Sequence, residues 1–178
     1  MKILALIFDG FEEEEAMAPF AIIRRAKGNI TIASLKDEVT GSHNFTLSNI
    51  NKLDEINYKE YDALLIPGGA HYKFLRESKM VHEIINYFFK ENKYVFGICA
   101  APTIFGMLGH LKGKNYTCFE AMNEDFGGNF SHDGVVVDGK MITAKSVAFS
   151  LDFAYAIVKM LYGDDTLNAL WERIYYEK

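Results

Sequence analysis

The chain has 178 residues, 49% of them hydrophobic and 24% charged, the balance of a soluble globular protein large enough to bury a core without staples. With 19 Lys and Arg against 24 Asp and Glu, the net charge of -5 leaves no basic footprint for DNA or RNA, so nucleic-acid binding is excluded. Its two cysteines, Cys99 and Cys118, rule out a disulfide framework and form no C-x-x-C metal pair, and no metal or cofactor is expected.

The N-terminus carries one early lysine and an apolar run that stops at Asp9. It is too short and wrongly flanked for a signal peptide or membrane span, so residues 2–8 read as a buried first strand and the expected location is cytoplasmic. An acidic loop, Asp9-Gly10-Phe11-Glu12-Glu13-Glu14-Glu15, leads into a helix over 14–27 that carries Met17, Phe20, Ala21 and Ile23 and stops at Gly28. Further unbroken apolar runs at 30–35, 63–66 and 94–98 suit strands covered on both faces. Pro67-Gly68-Gly69 follows the third strand, and a helix over 79–92, with Ser78 as its cap, precedes the fourth. Residues 135–144 read as a hairpin around Asp138-Gly139, followed by helices over 151–161 and 165–175, with Gly163 ending the first. The β-α-β alternation predicts an open α/β sheet, mostly parallel, in one domain over residues 1–178.

Between the fourth strand and the next helix lies Gly97-Ile98-Cys99-Ala100-Ala101-Pro102. Proline fits the first turn of a helix but not its middle, so the helix begins just before Pro102 and Cys99 stands at its start. Unpaired N–H groups and the helix dipole favour a thiolate there, and small residues on both sides let strand and helix approach closely, as in a nucleophile elbow. A free cysteine at a strand end is also a compact core filler, and the elbow alone does not choose between the two.

In an open parallel sheet the loops leaving the carboxyl ends of the strands face a common crevice. The acidic loop, the Gly68-Gly69 turn and the Cys99 elbow all qualify. Carboxylates in a first helical turn are ordinarily solvated, which suits Glu12 to Glu14. Glu15, at the start of the helix proper, is placed to point inward and to exchange a proton with Cys99. The Gly69 and Ala100 N–H groups could together form an oxyanion hole, although paired glycines also make simple turns. Of the histidines, His71 lies just beyond Gly69 and His43 could enter from a loop; His82 and His110 read as surface residues.

Gly10-x-Glu12-Glu13-x-Glu15, Pro67-Gly68-Gly69 and Ile98-Cys99-Ala100-Ala101-Pro102 together resemble the ThiJ/PfpI superfamily, also called the DJ-one superfamily, across most of the chain. The resemblance implies a flavodoxin-like α/β sandwich, class I glutamine amidotransferase-like and commonly a homodimer. It also implies Cys99 as nucleophile or redox thiol, Glu15 as its carboxyl partner, and Gly69 and Ala100 as backbone donors. Protease-like members have histidine directly after the cysteine, where this chain has Ala100, so a peptidase is not favoured. No histidine stands at Cys118-Phe119-Glu120, and 145–150 lacks the Gly-Pro-Gly turn frequent in relatives. A class I amidotransferase would need a late His-x-Glu pair, which His132-Asp133 does not supply.

The resemblance implies a glyoxalase or deglycase reaction on a small reactive carbonyl such as methylglyoxal or its adducts. The alternative is a redox sensor or chaperone-like protein in which peroxide oxidises Cys99, with Cys118 as a potential resolving thiol.

Overall fold

The structure, a computed structural model, describes residues 1–176. In chain order its elements are β1 (Lys2–Leu6), α1 (Glu13–Arg25), β2 (Asn29–Ser34), β3 (Glu38–Thr40), β4 (Thr46–Ser48) and β5 (Asn51–Lys52). There follow β6 (Ala63–Ile66), α2 (Tyr72–Glu77), α3 (Lys79–Lys90), β7 (Tyr94–Ile98), α4 (Ala101–Met107), β8 (Asn115–Tyr116) and β9 (Asn129–Phe130). The last are β10 (Val135–Asp138), β11 (Met141–Ala144), α5 (Ser150–Tyr162) and α6 (Asp164–Arg173).

Seven strands form one sheet in the order β10-β11-β7-β6-β1-β2-β5, parallel except where β10 pairs antiparallel with β11. This is the α/β sandwich with a mostly parallel centre that the apolar runs predict. Alternation along β1 divides the core. Ile3 and Ala5 face α1, α5 and α6, whose Phe20, Ile23, Phe153, Ile157 and Leu170 are buried there. Leu4 and Leu6 face the opposite layer, with Leu75, Val81, Ile85, Phe88 and Phe105 from α2, α3 and α4. A strand buried on both faces has no polar period, so these strands read as continuous apolar runs.

Ser78 caps α3, its Oγ accepting from the Val81 N–H at 3.4 Å, and Gly163 closes α5 at φ 86°. Pro19 lies inside the helix and lacks the N–H that would bond the Glu15 carbonyl one turn back. The β3–β4 hairpin, α2 and the β8–β9 pair were not foreseen.

Candidate active site

The elbow forms as the position of Pro102 requires: α4 begins at Ala101, immediately after Ala100. Cys99 adopts φ 62°, a left-handed conformation uncommon for a side-chain-bearing residue and costing about 1–3 kcal/mol. Both of its backbone groups are clamped. Its N–H donates to the Ala144 carbonyl at 2.8 Å at the end of β11, and its carbonyl accepts from the Phe119 N–H at 2.9 Å. Close approach of strand and helix depends on Gly97, where a Cβ would lie 2.6 Å from the Phe105 ring.

Glu15 reaches the same point from the first turn of α1. Its side chain is 1% exposed, and Oε2 accepts from the Gly68 N–H at 2.9 Å. The Val147 N–H is a further donor to this carboxyl, and the Cys99 thiol is its side-chain partner. Burial is the largest influence and raises Glu15 from an ordinary 4.5 to about 7, against the Cys99 and backbone hydrogen bonds that favour its charged form. Burial also pushes the Cys99 thiol far up, reinforced by the Glu15 charge and hydrogen bond and opposed by the Ala100 N–H.

Burial and the neighbouring carboxylate thus act against the thiolate that the helix start favours. One helix terminus does not offset burial plus a neighbouring carboxylate. While Glu15 is ionised the sulfur keeps its proton, and Glu15 is placed to receive it. Glu15, raised to about 7, and the Cys99 thiol thus face each other as a buried hydrogen-bonded pair.

Gly68 completes the contact. A Cβ there would meet the Glu15 carboxylate, lie 2.6 Å from the Cys99 Cβ and 3.1 Å from the Ala100 nitrogen. The diglycine turn was singled out for Gly69, yet Gly68 is the residue packed between Glu15 and Cys99. Gly69, at φ 104°, bridges Phe11 and offers its carbonyl to the Tyr72 N–H at 3.1 Å. The Ala100 N–H stands beside the Cys99 sulfur as expected.

Over this pair opens a cavity of 540 Å³, lined by Glu12 to Glu15, His43, Phe45, Cys99, Phe119 and Val147. A smaller cavity of 190 Å³ by Phe8 and Leu35 holds only Asp9 and Lys36 as charged groups, and these pair at 2.6 Å. Of the two, only the larger cavity is lined by Cys99 and Glu15.

Glu12 to Glu14 do not all face water. Glu13 is buried and clasps the loop after β3, its Oε1 accepting from the His43 N–H at 2.7 Å and the Phe45 N–H at 3.3 Å. Burial alone would raise the Glu13 carboxyl, but these donors and His43 Nδ1 at 3.0 Å hold it below the ordinary value. The Glu13 hydrogen bond, followed by the Glu12 charge, raises His43 in turn. Glu12, Glu13 and His43 bring potential ligand atoms within 4.8 Å, the one such trio among the described residues; their hydrogen bonding accounts for it as a clasp.

His71 lies elsewhere. It is 1% exposed, its Nε2–H donates to the Pro67 carbonyl at 2.8 Å and its Nδ1 accepts from the Phe8 N–H at 3.3 Å. Burial pushes it down to about 4, so it is a neutral pin between two loops and does not line the cavity. His82 and His110 are half-buried instead of solvated, the latter stacked on Phe89 at 4.2 Å. Cys118 is buried in the opposite layer from Cys99, its thiol against the Phe119 carbonyl and Asn123 Oδ1. Burial raises that thiol to about 12.

Phe45, Gly68 and Val147 were missed in the sequence. Only Gly68 left a signal, as half of a diglycine after a buried strand; Val147 lies in a segment with no chemistry-bearing side-chain pattern, and Phe45 sits in a polar loop.

The fold and these motifs have relatives. Protein DJ-1 homolog B of Arabidopsis thaliana is 38% identical over 169 residues, covering 91% of this chain and 38% of the relative. Deglycase PfpI of Pyrococcus furiosus is 32% identical over 165 residues, covering 90% of this chain and 99% of the relative. The chain spans well under half of the plant relatives it matches, 38% of homolog B and 43% of homolog A. The crystal structure of Drosophila melanogaster DJ-1beta superposes with a TM-score of 0.91 at 24% identity, covering the whole of both chains, which shows the fold. Residues 1–160 match the DJ-1/PfpI family, and the chain belongs to it.

Proposed function

We propose that this protein is a DJ-1-like stress-response hydrolase that uses Cys99 and Glu15 to convert a reactive 2-oxoaldehyde, such as methylglyoxal, or its adducts. The observation that carries this reading is the buried Glu15 carboxyl, held at about 7 and hydrogen-bonded to a strained elbow cysteine. A base with that value is half ionised at neutral pH, where general-base catalysis is most effective.

The sulfur of Cys99 attacks the aldehyde carbon while Glu15 takes the thiol proton and the carbonyl oxygen becomes the hydroxyl of a hemithioacetal. The Ala100 and Gly69 N–H groups are the proposed donors to the oxygen as its charge develops. Glu15 then carries the proton from the aldehyde carbon to the neighbouring ketone carbon through an enediol. The first carbon is oxidised to a thioester and the second reduced to an alcohol, so no external redox partner is needed. Water cleaves the thioester, releasing the hydroxy acid and restoring the thiol.

Names among the relatives agree with this chemistry, since Thermococcus kodakarensis and Pyrococcus furiosus proteins are called deglycases. The test is turnover of methylglyoxal to lactate by purified protein, with Cys99→Ser as the control. Lactate from wild type alone supports the reading; equal rates in both proteins overturn it.

A second reading rests on Cys118. Its thiol is directed at the Phe119 carbonyl and Asn123 Oδ1 in the opposite layer, and in this reading a Cys99 sulfenic acid is oxidised further instead of being captured as a disulfide. One peroxide would then give the sulfenic acid and water, and a second would give the sulfinic acid and water. Addition of two oxygens at Cys99 without turnover, read by intact mass after mild peroxide, would favour this sensor. Met17, Val147 and Leu151 form an exposed apolar face beside the cavity, which supports association as a homodimer. A cytoplasmic location accords with the absence, among the described residues, of any helix long and apolar enough to cross a membrane.

A further inference from the structure

Cys99 and Glu15 are gripped by two stretches of chain outside the elbow. Residues 144–147, at the end of β11 and beyond it, supply the Ala144 carbonyl that accepts the Cys99 N–H at 2.8 Å and the Val147 N–H that donates to the Glu15 carboxyl. Residues 117–120 supply the Phe119 N–H, which donates to the Cys99 carbonyl at 2.9 Å. Phe119 and Val147 are also two walls of the 540 Å³ cavity.

A side-chain bridge joins the two stretches. Lys145 Nζ pairs with the Glu120 carboxylate and donates to the His132 carbonyl at 3.2 Å, while His132 Nδ1 faces Glu120 Oε1 at 3.0 Å. The contacts close a ring that runs from Cys99 through Ala144, Lys145, Glu120 and Phe119 back to Cys99. Its one ion pair is Lys145 with Glu120. The lysine side chain is 26% exposed and the glutamate 46%, so the bridge adds little to overall stability. The ring nevertheless closes on a residue at φ 62°, a conformation that persists only where its surroundings over-determine it. Neither Lys145 nor Glu120 lines the cavity.

We propose that Lys145 is a positioning residue of the active site, latching residues 144–147 to residues 117–120 through Glu120 and so holding the Cys99 backbone and the Val147 N–H in place. This rests on the reading of Cys99 and Glu15 as the reacting pair. Glu15 reports the latch. The Val147 and Gly68 N–H groups favour its charged form, while the Cys99 thiol faces it from the elbow and Glu12 acts on it from the same end of α1.

The test follows the Glu15 carboxyl carbon by NMR across pH in full-length protein carrying labelled glutamate, the resonance being assigned by its loss in Glu15→Gln. Lys145→Met and Glu120→Gln should each raise the midpoint by about half a unit or more, as expected when a donor to the charged form slackens. Direction separates the latch from a bare field. Charge alone would make the loss of Lys145 raise the midpoint and the loss of the Glu120 charge lower it. Lys145→Arg keeps the cation and should keep the wild-type midpoint. Below the midpoint, kcat/KM for methylglyoxal should fall by about threefold or more in Lys145→Met and in Glu120→Gln, with the melting temperature unchanged.

An unmoved midpoint in either variant, opposite movements in the two, or a shift that Lys145→Arg shares overturns the proposal. So does a shift found only together with loss of the fold. A wild-type carboxyl that does not titrate near 7 overturns both the proposal and the reading on which it rests. The NMR midpoint does not depend on turnover. Absence of lactate formation with the shifts intact therefore overturns the hydrolase alone and leaves the latch in place.

Discussion

Cys99, Glu15 and Gly68 form a unit in which each residue limits the others. Glu15→Gln keeps an acceptor for the Gly68 N–H but loses the titrating oxygen. We expect kcat/KM for methylglyoxal to fall by about a hundredfold or more, the usual scale of a positioned general base. Gly68→Ala should reduce turnover for a steric reason, because its Cβ would stand 2.6 Å from that of Cys99; the overpacking should also cost about 1–3 kcal/mol, read by denaturant unfolding. Cys118→Ser tests the opposite statement. That thiol lies in the other layer, so the variant should turn over methylglyoxal at the wild-type rate, and a loss comparable to Cys99→Ser would contradict the geometry.

At the scale of elements, the sheet was legible and the cavity wall was not. The strands at 63–66 and 94–98 were found to the residue because burial on both faces demands an unbroken apolar run. Pro102 revealed the elbow because the first turn is the part of a helix that takes proline without losing a hydrogen bond. The β3–β4 hairpin has no comparable signal, since its connecting loop is polar and its order comes from the distant Glu13 carboxylate. A glutamate in a first helical turn looks solvated in sequence, and only the fold shows that backbone N–H groups of another segment approach it. Glu13→Gln leaves a neutral acceptor for the His43 and Phe45 amides and turns the oxygen facing His43 Nδ1 into an N–H donor. Hydrogen exchange at the His43 and Phe45 amides should accelerate by about tenfold, as expected when a charge-assisted hydrogen bond is lost. Unchanged protection there would show that the hairpin holds itself.

Across the whole molecule, two buried groups give opposing dependences of stability on pH. Glu15 is raised from 4.5 to about 7, so the folded state binds more protons than the unfolded; that contribution is full below 4.5 and lost as pH rises to about 7. His71 is lowered from 6.5 to about 4, so its contribution is present above 6.5 and lost as pH falls towards 4. Each shift corresponds to about 3 kcal/mol as an upper bound. Removing Glu15 leaves the His71 slope unopposed. Unfolding midpoints of Glu15→Gln should therefore climb more steeply than wild type between about pH 4.5 and 6.5. A parallel pair of curves would mean that Glu15 titrates alike in both states.

The central claim is that Glu15, acting on the Cys99 thiol, is the base of a carbonyl hydrolase. It is tested most directly by the pH profile of kcat/KM for methylglyoxal conversion to lactate, in wild type and in Glu15→Gln. Wild type should rise through a limb near 7, where the carboxyl loses its proton, and the residual rate of the variant should lack that limb. Turnover in both proteins with the same limb, or no lactate from wild type at any pH, would contradict the account.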